Sequence, residues 1–228
     1  MITPIVYWLA TWVVWYLMLP VYAKVRIKGI ENVPKTGPLI IASNHLNDAD
    51  PGIICGSIPR RVAYMAKVEL FKVPGLSHFL RAFGAFPVRR GEADLTALRR
   101  STEALKEGLA LVIFPEGTRG APEAKLREAW PGAGLLALRN DAPILPVAIT
   151  GSQRLYLPKM FLRPFRREQV TFTIGEPFYL PKPDRINAQS AAEGTRVIME
   201  HIAALLPESY RGFYAGAVGG PDVASPSP

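Results

Sequence analysis

The sequence predicts an α/β fold in which helices flank a mostly parallel central sheet, and three observations carry this prediction. Continuous apolar runs of the kind that form buried central strands occur at residues 38–42 and 109–114. Segments with helical spacing alternate with such runs along the chain. The chain has 228 residues, of which 49% are hydrophobic, so one domain with a sizeable core is expected and a disordered chain is excluded.

The remaining elements follow from local patterns. Residues 24–28 alternate polar and apolar side chains, as a half-buried strand does. Further strands are expected at 143–150, at 169–174 and at the start of 84–90. One amphipathic helix is expected where leucines recur at helical spacing from Leu95 to Leu105, with Gly108 as the stop. Another is expected over 185–206, although Gly194 lowers its helix propensity.

Residues 1–23 contain no charged residue and resemble a membrane anchor, since a helix of about 20 residues crosses a bilayer. Trp8, Trp12 and Trp15 are expected on one helical face, so spanning the membrane and lying on its surface both stay open. Basic residues follow at 24–28 and none precede, which places the rest of the chain on the cytoplasmic side of the cell membrane. A cleaved signal peptide is disfavoured because no positive charge precedes the apolar run.

Composition limits the possible partners and sites. The chain has 27 Lys and Arg against 19 Asp and Glu, a net charge of +8, so an anionic partner is expected, such as nucleic acid, a phospholipid surface or a phosphorylated small molecule. A single cysteine, Cys55, excludes a disulfide within the chain and a multi-cysteine metal site. The main domain is expected over 24–210, and 211–228, rich in Gly, Ala, Ser and Pro, is expected to be a disordered tail.

A histidine lies where open α/β sheets place their ligands, in a loop after an apolar strand. His45 precedes a predicted helix that begins with Asp50 as its N-cap and Pro51 as its first residue. Residues five apart on one helix point about 140° away from each other, so only an intervening turn lets His45 and Asp50 touch. A carboxylate on one imidazole nitrogen makes the other more basic, so His45 is a candidate general base for a substrate hydroxyl.

Other uses of this loop are weaker. A histidine near a strand end is often structural, and the spacing alone does not decide the matter. Ser43 is disfavoured as a nucleophile because a strand residue does not face its own neighbour and no nucleophile elbow is present. A metal site at His45, Asp48 and Asp50 is not expected, because the other histidines lack a matching ligand pattern.

Two further loops suit an anion. Gly117 lets the backbone approach a ligand, Thr118 offers a hydroxyl, and Arg119 presents a planar fork for phosphate. Elsewhere a short strand leads to Arg89 and Arg90. Each feature alone is typical of an ordinary turn or a solvated face, but together they indicate an anion site beside a base.

These motifs, taken in order, resemble one family. Residues 44–50 read NHLNDAD, and they are followed by GAFPVRR at 84–90, FPEGTRG at 114–120 and ILPVAITG at 144–151. The order is similar to the four motifs of the glycerophospholipid acyltransferases, whose best-known members are 1-acyl-sn-glycerol-3-phosphate acyltransferases. The similarity covers residues 24–180.

The resemblance implies roles for the matching residues. His45 and Asp50 correspond to the catalytic pair. The acceptor's phosphate is expected at the second and third motifs, on Arg90, Glu116, Gly117, Thr118 and Arg119. The fourth motif, around Pro146 and Val147, is associated with the acyl side of the site. Asn47, Arg89 and Gly120 depart from the family's usual residues, and the extra charge of Arg89 leaves the exact acceptor open.

The resemblance also implies an activity. A membrane-bound enzyme would transfer a fatty acyl group from an acyl thioester to the sn-2 hydroxyl of 1-acyl-sn-glycerol-3-phosphate (lysophosphatidic acid), giving phosphatidic acid for phospholipid biosynthesis. The donor would be acyl-CoA or acyl carrier protein, and no metal or other cofactor is expected. Five basic and no acidic residues in 154–167, interleaved with apolar ones, suit an anionic phospholipid bilayer, although an ordinary solvated loop fits equally well.

Two alternatives belong to other functional classes. A non-catalytic lipid-binding protein of the same fold would not need His45. A nucleic-acid-binding protein is suggested by charge alone, and no recognisable nucleic-acid-reading motif supports it.

Overall fold

In the computed structural model, which describes residues 4–89, 94–120, 123–155 and 167–217, seven strands form one sheet. They are β1 (Ala23–Lys28), β2 (Leu39–Ser43), β3 (Val62–Lys67), β4 (Ala85–Val88), β5 (Ala110–Ile113), β6 (Ile144–Thr150) and β7 (Glu168–Ile174). Across the sheet the order is β1-β7-β6-β2-β5-β3-β4, and neighbours are parallel except for β6 and β7. The predicted mostly parallel α/β sheet is confirmed.

Strand β2 lies between β5 and β6, and all of its residues are buried. Ile40 pairs with Leu111 on one side and with Ile144 on the other. A parallel strand covered on both faces needs apolar side chains throughout, which explains its continuous apolar run. Strand β1, at the sheet's edge, instead alternates more and less buried residues, as its sequence predicts.

Helices cover both faces of the sheet. They are α1 (Pro4–Trp12), α2 (Leu19–Tyr22), α3 (Asp50–Ser57), α4 (Leu76–Ala82), α5 (Leu95–Lys106), α6 (Gly132–Asn140) and α7 (Ala188–Leu205). The first four pack with the core on one face, and α5, α6 and α7 pack with the core on the other. Each face of the sheet therefore has its own apolar layer, as an α/β fold requires.

Side-chain caps fix where the two predicted helices begin. Asp94 accepts a hydrogen bond from the Ala97 N–H at 2.9 Å and so starts α5. Asn187 and Ser190 form a reciprocal capping box at the start of α7, so the helix begins three residues after the predicted start at Arg185.

Gly194, expected to weaken the long helix α7, lies where that helix packs against α6. A Cβ on Gly134 of α6 would stand 2.2 Å from the Ala191 carbonyl oxygen, and a Cβ on Gly194 would stand 2.7 Å from Leu180 Cδ1. The Gly134 N–H also donates to Thr195 Oγ1 at 2.8 Å. The glycines therefore allow a close approach of two helices, which offsets their low helix propensity.

Several elements were not expected from the sequence. Strand β3 and the helix α6 were not predicted. The domain also continues past the predicted boundary at Tyr210, because Tyr214 is buried and its hydroxyl accepts the Ala129 N–H at 3.2 Å. The prediction of a disordered tail is wrong for residues 211–217, and 218–228 lie outside the described residues.

The N-terminal segment differs from the predicted continuous membrane helix. A π-helical stretch at Val13–Met18 separates α1 from α2, and no helix among the described residues is long and apolar enough to cross a membrane. One side of the segment packs on the domain: the Tyr7 hydroxyl accepts the Val62 N–H at 3.1 Å. Trp15 packs on Gly56, where a Cβ would stand 2.1 Å from Trp15 Cε3.

The three tryptophans of this segment do not share one face, contrary to the prediction from the sequence. Trp8 and Trp12 are exposed, whereas Trp15 lies partly buried against the core. The wider π-helical turn changes the angular position of the residues that follow it, which a regular helical projection cannot anticipate.

Cys55 lies in helix α3, within the core on this face of the sheet. Burial raises the pKa of its thiol to about 12, and a hydrogen bond with Tyr7 acts in the opposite direction. Because the thiolate is the nucleophilic form, this side chain is unreactive near neutral pH.

Arg60 ties together the amino ends of three central strands. Its guanidinium donates to the carbonyl oxygens of Pro34 at 2.6 Å, Thr36 at 3.4 Å, Gly108 at 2.8 Å and also Gly37. These carbonyls belong to the segments before β2 and β5, and Arg60 itself precedes β3. The buried cation thus satisfies backbone acceptors that the strands leave unpaired.

Replacing Arg60 with alanine should lower the free energy of unfolding by about 3 kcal/mol, because several backbone acceptors lose their donor. Urea unfolding of the purified variant measures this. Arg99→Ala is the matched control, since Arg99 forms only an exposed ion pair with Glu103 and its loss should cost less than about 0.5 kcal/mol. Equal effects of the two substitutions would contradict the bridging role of Arg60.

Candidate active site

The fold brings the first and third sequence motifs side by side. His45 follows β2, and Phe114 follows β5, which is hydrogen-bonded to β2 in parallel. Both loops therefore leave the sheet at the same edge, at the carboxyl ends of central strands. This is the edge where open α/β sheets bind ligands, as the sequence predicts.

His45 and Asp50 are in contact, as their predicted roles require. His45 Nδ1 lies 3.0 Å from Asp50 Oδ2, and both side chains are buried. A carboxylate oxygen accepts hydrogen bonds, so Nδ1 carries the proton and Nε2 keeps its lone pair. The arrangement leaves Nε2 free to accept a proton from a bound hydroxyl.

Asp50 also holds the loop that carries His45. Its Oδ2 accepts the backbone N–H of Leu46 at 2.6 Å and that of Asn47 at 2.7 Å. The helix start is as predicted, with Pro51 in the first turn, but Ala49 takes the N-cap position and Asp50 is the first helical residue. Its carboxylate turns back onto the preceding loop instead of capping its own helix.

The plane of the imidazole is set by Phe114, which the sequence analysis did not single out. The two rings stack with their centroids 4.1 Å apart and an angle of 21° between their planes. The hydrogen bond from His45 Nδ1 to Asp50 and the stacking of the imidazole on Phe114 together fix the orientation of the His45 ring. The available signal was position alone, since Phe114 directly precedes the PEG turn.

Glu116 does not take the place that the resemblance suggests. Its carboxylate is buried, where Oε1 accepts the His45 N–H at 3.2 Å and Oε2 accepts the Arg127 N–H at 3.0 Å. Burial raises the pKa of this carboxyl, while the two N–H bonds act in the opposite direction. A carboxylate facing inward and accepting two backbone donors supports the catalytic loop and would repel a phosphate.

Asn44 is a second support that the sequence analysis missed. Its Nδ2 donates to the Ile149 carbonyl oxygen at 2.8 Å, and its Oδ1 accepts the Ile149 N–H at 2.7 Å. These two bonds join the catalytic loop to β6, which carries the fourth motif. Buried amides paired on both ends in this way fix local geometry.

The glycines of the third motif lie close to neighbouring groups. Gly117 has a φ of +67°, and a Cβ there would stand 3.0 Å from Trp130 Cδ1. Gly120 donates its N–H to the His45 carbonyl oxygen at 2.5 Å, so the third motif is bonded directly to the catalytic loop. The exposed side chain of Thr118 lies between these two glycines in sequence.

Arg119 lies beside the catalytic loop. Its Nη1 is 2.8 Å from Asp48 Oδ2, and both side chains are more than half exposed. An exposed pair of this kind contributes about 0–1 kcal/mol, so a phosphate can displace or share the guanidinium at little cost. Asp48, considered in sequence as a metal ligand, instead contacts this arginine.

The second motif is only partly visible. Arg89 follows β4 and donates its backbone N–H to Asp94 Oδ2 at 2.9 Å. Arg90 lies outside the described residues, and so do 156–166 of the basic segment predicted to face lipid. The role of Arg90 in binding phosphate stays a prediction.

Comparison with known proteins agrees with these motifs. A family model described as Acyltransferase matches residues 24–150, more than half of the chain. The chain belongs to the acyltransferase family. The predicted resemblance is therefore confirmed, and the matched span includes all four motifs up to Thr150.

Relatives and a solved structure support the assignment. The acyltransferase is 30% identical to the 1-acyl-sn-glycerol-3-phosphate acyltransferase of Bacillus subtilis (strain 168), over 79% of this chain and 90% of that protein. It is 27% identical to a chloroplastic 1-acyl-sn-glycerol-3-phosphate acyltransferase of Brassica napus, over 72% of this chain but 47% of that protein. The crystal structure of the 1-acyl-sn-glycerophosphate (LPA) acyltransferase PlsC from Thermotoga maritima matches with a TM-score of 0.59 and 29% identity, over 77% of this chain and 69% of that one.

Glu116→Gln tests whether this carboxylate supports the loop. A glutamine offers one acceptor and one NH₂ donor, so one backbone N–H then faces a donor, and stability should fall by about 1–3 kcal/mol in urea unfolding. Glu128→Gln, at an exposed position nearby, is the control and should leave stability unchanged. Unchanged stability together with a higher KM for a phosphorylated acceptor would instead support the role in phosphate binding that the family resemblance implies for Glu116.

Proposed function

We propose that this acyltransferase transfers a fatty acyl group from a thioester to the sn-2 hydroxyl of 1-acyl-sn-glycerol-3-phosphate, giving phosphatidic acid. The observation that carries the proposal is the buried contact between His45 Nδ1 and Asp50 Oδ2 at the carboxyl edge of the sheet. The names of the relatives, which are 1-acyl-sn-glycerol-3-phosphate acyltransferases, support the choice of acceptor.

In the proposed reaction, His45 acts as a general base. Its Nε2 removes the proton from the sn-2 hydroxyl as that oxygen attacks the carbonyl carbon of the thioester. A C–O bond forms, the C–S bond breaks, and the leaving thiolate takes the proton back from the imidazolium. Asp50 stabilises the imidazolium between these steps, and base assistance of this kind accelerates a reaction about 10²- to 10⁴-fold.

A direct transfer fits the surroundings of His45 better than an acyl-enzyme does. Ser43, the neighbouring hydroxyl, is buried, and its Oγ donates to the Asn44 carbonyl oxygen at 3.0 Å. Cys55 is buried in the core, with a thiol whose pKa is raised by burial. Neither side chain is available to attack a thioester.

Phosphate binding is proposed for the exposed part of the third motif. Arg119 provides the guanidinium, Thr118 a hydroxyl and Gly117 an exposed backbone with no Cβ. By the family resemblance, Arg90 adds a second guanidinium. Anchoring the phosphate here would hold the glycerol hydroxyl near His45 and lower the entropic cost of the reaction.

His45→Ala should reduce acyl transfer to 1-acyl-sn-glycerol-3-phosphate by at least about 10²-fold, and Asp50→Asn should reduce it by a similar order, with normal circular dichroism spectra. Release of the free thiol from acyl-CoA or acyl carrier protein measures the rate. His78→Ala, an exposed histidine on α4, is the control and should keep full activity.

The acceptor is tested in the same assay. Monoacylglycerol, which lacks the phosphate, should be a poor acceptor, and lysophosphatidylcholine tests a different head group. Faster reaction with another lysolipid would assign this acyltransferase to that acceptor. Folded protein that is inactive with every pair of donor and acceptor would contradict the proposal and favour a lipid-binding role.

We further propose that α1 lies on the cytoplasmic surface of the cell membrane. Its inner side is buried on the domain at Tyr7 and Thr11. Its outer side exposes large apolar residues at helical spacing, namely Ile5, Trp8, Leu9 and Trp12, with Tyr16 of the π-helical stretch next to them. A face of this kind suits the boundary between lipid head groups and acyl chains, and anionic lipids of the cytoplasmic leaflet would attract the basic protein.

Replacing Trp8 and Trp12 together with serine should weaken binding to phosphatidylglycerol-containing vesicles by about tenfold or more, because both apolar side chains are exposed in water and buried in lipid. Vesicle cosedimentation measures the change. Tyr179→Ser, which removes an exposed aromatic residue next to Phe178 on the other face of the sheet, is the control. Vesicle binding equal to that of the unmodified protein would contradict the role of α1.

A further inference from the structure

The connection between β3 and β4 exposes three large apolar side chains. Leu70 is 39% exposed, Val73 47% and Phe79 48%. They lie on a 3₁₀ turn (Val68–Lys72), on the residue that follows it, and on α4. We refer to these three side chains, which lie on two elements that contact each other, as the patch. Exposed apolar surface of this kind can mark an interaction site.

This connection is not loosely packed. Phe71 and Leu80, which lie next to the exposed residues, pack against the core on the same face of the sheet. The segment therefore has its own inward-facing anchors and presents a second set of apolar side chains to the outside. Leu70 and Phe79 are therefore exposed although the segment that carries them is packed on the core.

The patch begins at the catalytic edge of the sheet. β3 is parallel to β5, which is parallel to β2, so the residues that follow these three strands lie at one edge. Leu70 and Val73 follow β3 there, and His45 follows β2. Exposed apolar side chains thus lie at the same edge of the sheet as the candidate active site.

The patch also continues towards α1. Helix α4, which carries Phe79, contacts both the 3₁₀ turn and α1. Helix α1 meets the start of β3 through Tyr7 and Val62, at the opposite edge of the sheet. Contact of α1 alone with lipid would therefore leave the catalytic edge unsupported, and the patch extends the apolar surface up to that edge.

Charge around the patch suits anionic lipid. Residues 67–82 include three basic side chains, Lys67, Lys72 and Arg81, against one acidic side chain, Glu69, and all four are exposed. The Arg81 guanidinium lies over the Phe71 ring, 5.4 Å from its centroid, so it is held close to the apolar residues. Basic groups interleaved with apolar ones match the phosphates and acyl chains of a bilayer surface.

We propose that Leu70, Val73 and Phe79 form a second lipid contact, which holds the catalytic edge against an anionic phospholipid bilayer. The proposal rests on the proposed function, since an acceptor whose acyl chain stays in the bilayer has to meet His45 at the lipid surface. It adds that two surfaces, α1 and this patch, set the orientation of the protein. An acidic carrier protein is the other partner of matching charge, but continuity with the face of α1 favours lipid.

The experiment uses the full chain with Leu70→Ser and Phe79→Ser combined. The control is Tyr179→Ser, because Tyr179 is 62% exposed and follows Phe178, which pairs with Ile144 at the start of β6 and packs on the other face of the sheet. Cosedimentation is measured with vesicles of phosphatidylcholine with and without phosphatidylglycerol. Activity is measured with a long-chain lysophosphatidate in these vesicles and with a short-chain lysophosphatidate dispersed in water.

The double variant should bind the mixed vesicles about tenfold more weakly. It should lose activity towards the vesicle acceptor to a similar extent and keep activity towards the dispersed acceptor within about twofold. Lys67→Glu combined with Lys72→Glu should weaken binding only to vesicles that contain phosphatidylglycerol. Tyr179→Ser should behave as the unmodified protein in every measurement.

Several results would overturn this inference. Unchanged vesicle binding by the double variant, or equal loss towards both acceptors, would exclude a lipid contact. Loss with acyl carrier protein as donor but not with acyl-CoA, at unchanged vesicle binding, would assign the patch to the carrier. If the unmodified protein acylates neither the vesicle acceptor nor the dispersed acceptor, the proposed function itself fails, and that outcome is separate from failure of the patch.

Discussion

One carboxylate oxygen organises the catalytic loop. Asp50 Oδ2 accepts His45 Nδ1–H and the backbone N–H groups of Leu46 and Asn47, all within 3.0 Å. Burying a carboxylate is costly unless it accepts hydrogen bonds. These three donors surround Oδ2, whereas Oδ1 is buried without a partner among the described residues. The same contact that makes the burial of Asp50 tolerable also sets the path of the loop and the tautomer of the imidazole. The geometry of the loop and the proposed base chemistry of His45 therefore depend on the same carboxylate.

The sequence predicts those parts of the fold in which burial determines composition. Strands β2 and β5 are covered on both faces, so burial requires the continuous apolar runs from which both strands were predicted. The run VAYMAK of β3 neither alternates nor contains a block of β-branched residues, and it was missed. Residues 1–23 are apolar whether they face lipid or a core. The contacts of Tyr7 with Val62 and of Trp15 with Gly56 show that part of this segment packs on the domain.

The candidate site was predicted to a similar degree. Position after a strand made a contact between His45 and Asp50 possible, the family resemblance implied that they form a pair, and the structure brings the two residues together. The direction of a side chain is not readable from a motif, which is why Glu116 was placed with the phosphate although its carboxylate faces inward. Asn44 and Phe114 contact residues that are distant in sequence, so no local sequence pattern predicts their roles.

The burial of Cys55 has a consequence for an enzyme that handles activated acyl groups. With the thioester donor proposed above, a surface thiol would take the acyl group by thiol–thioester exchange and hold it as a dead-end acylated side chain. The only sulfhydryl of this protein lies in the core, with a pKa raised to about 12 by burial. Burial of Cys55 therefore removes thiol exchange as a route by which the proposed thioester donor could lose its acyl group to the protein.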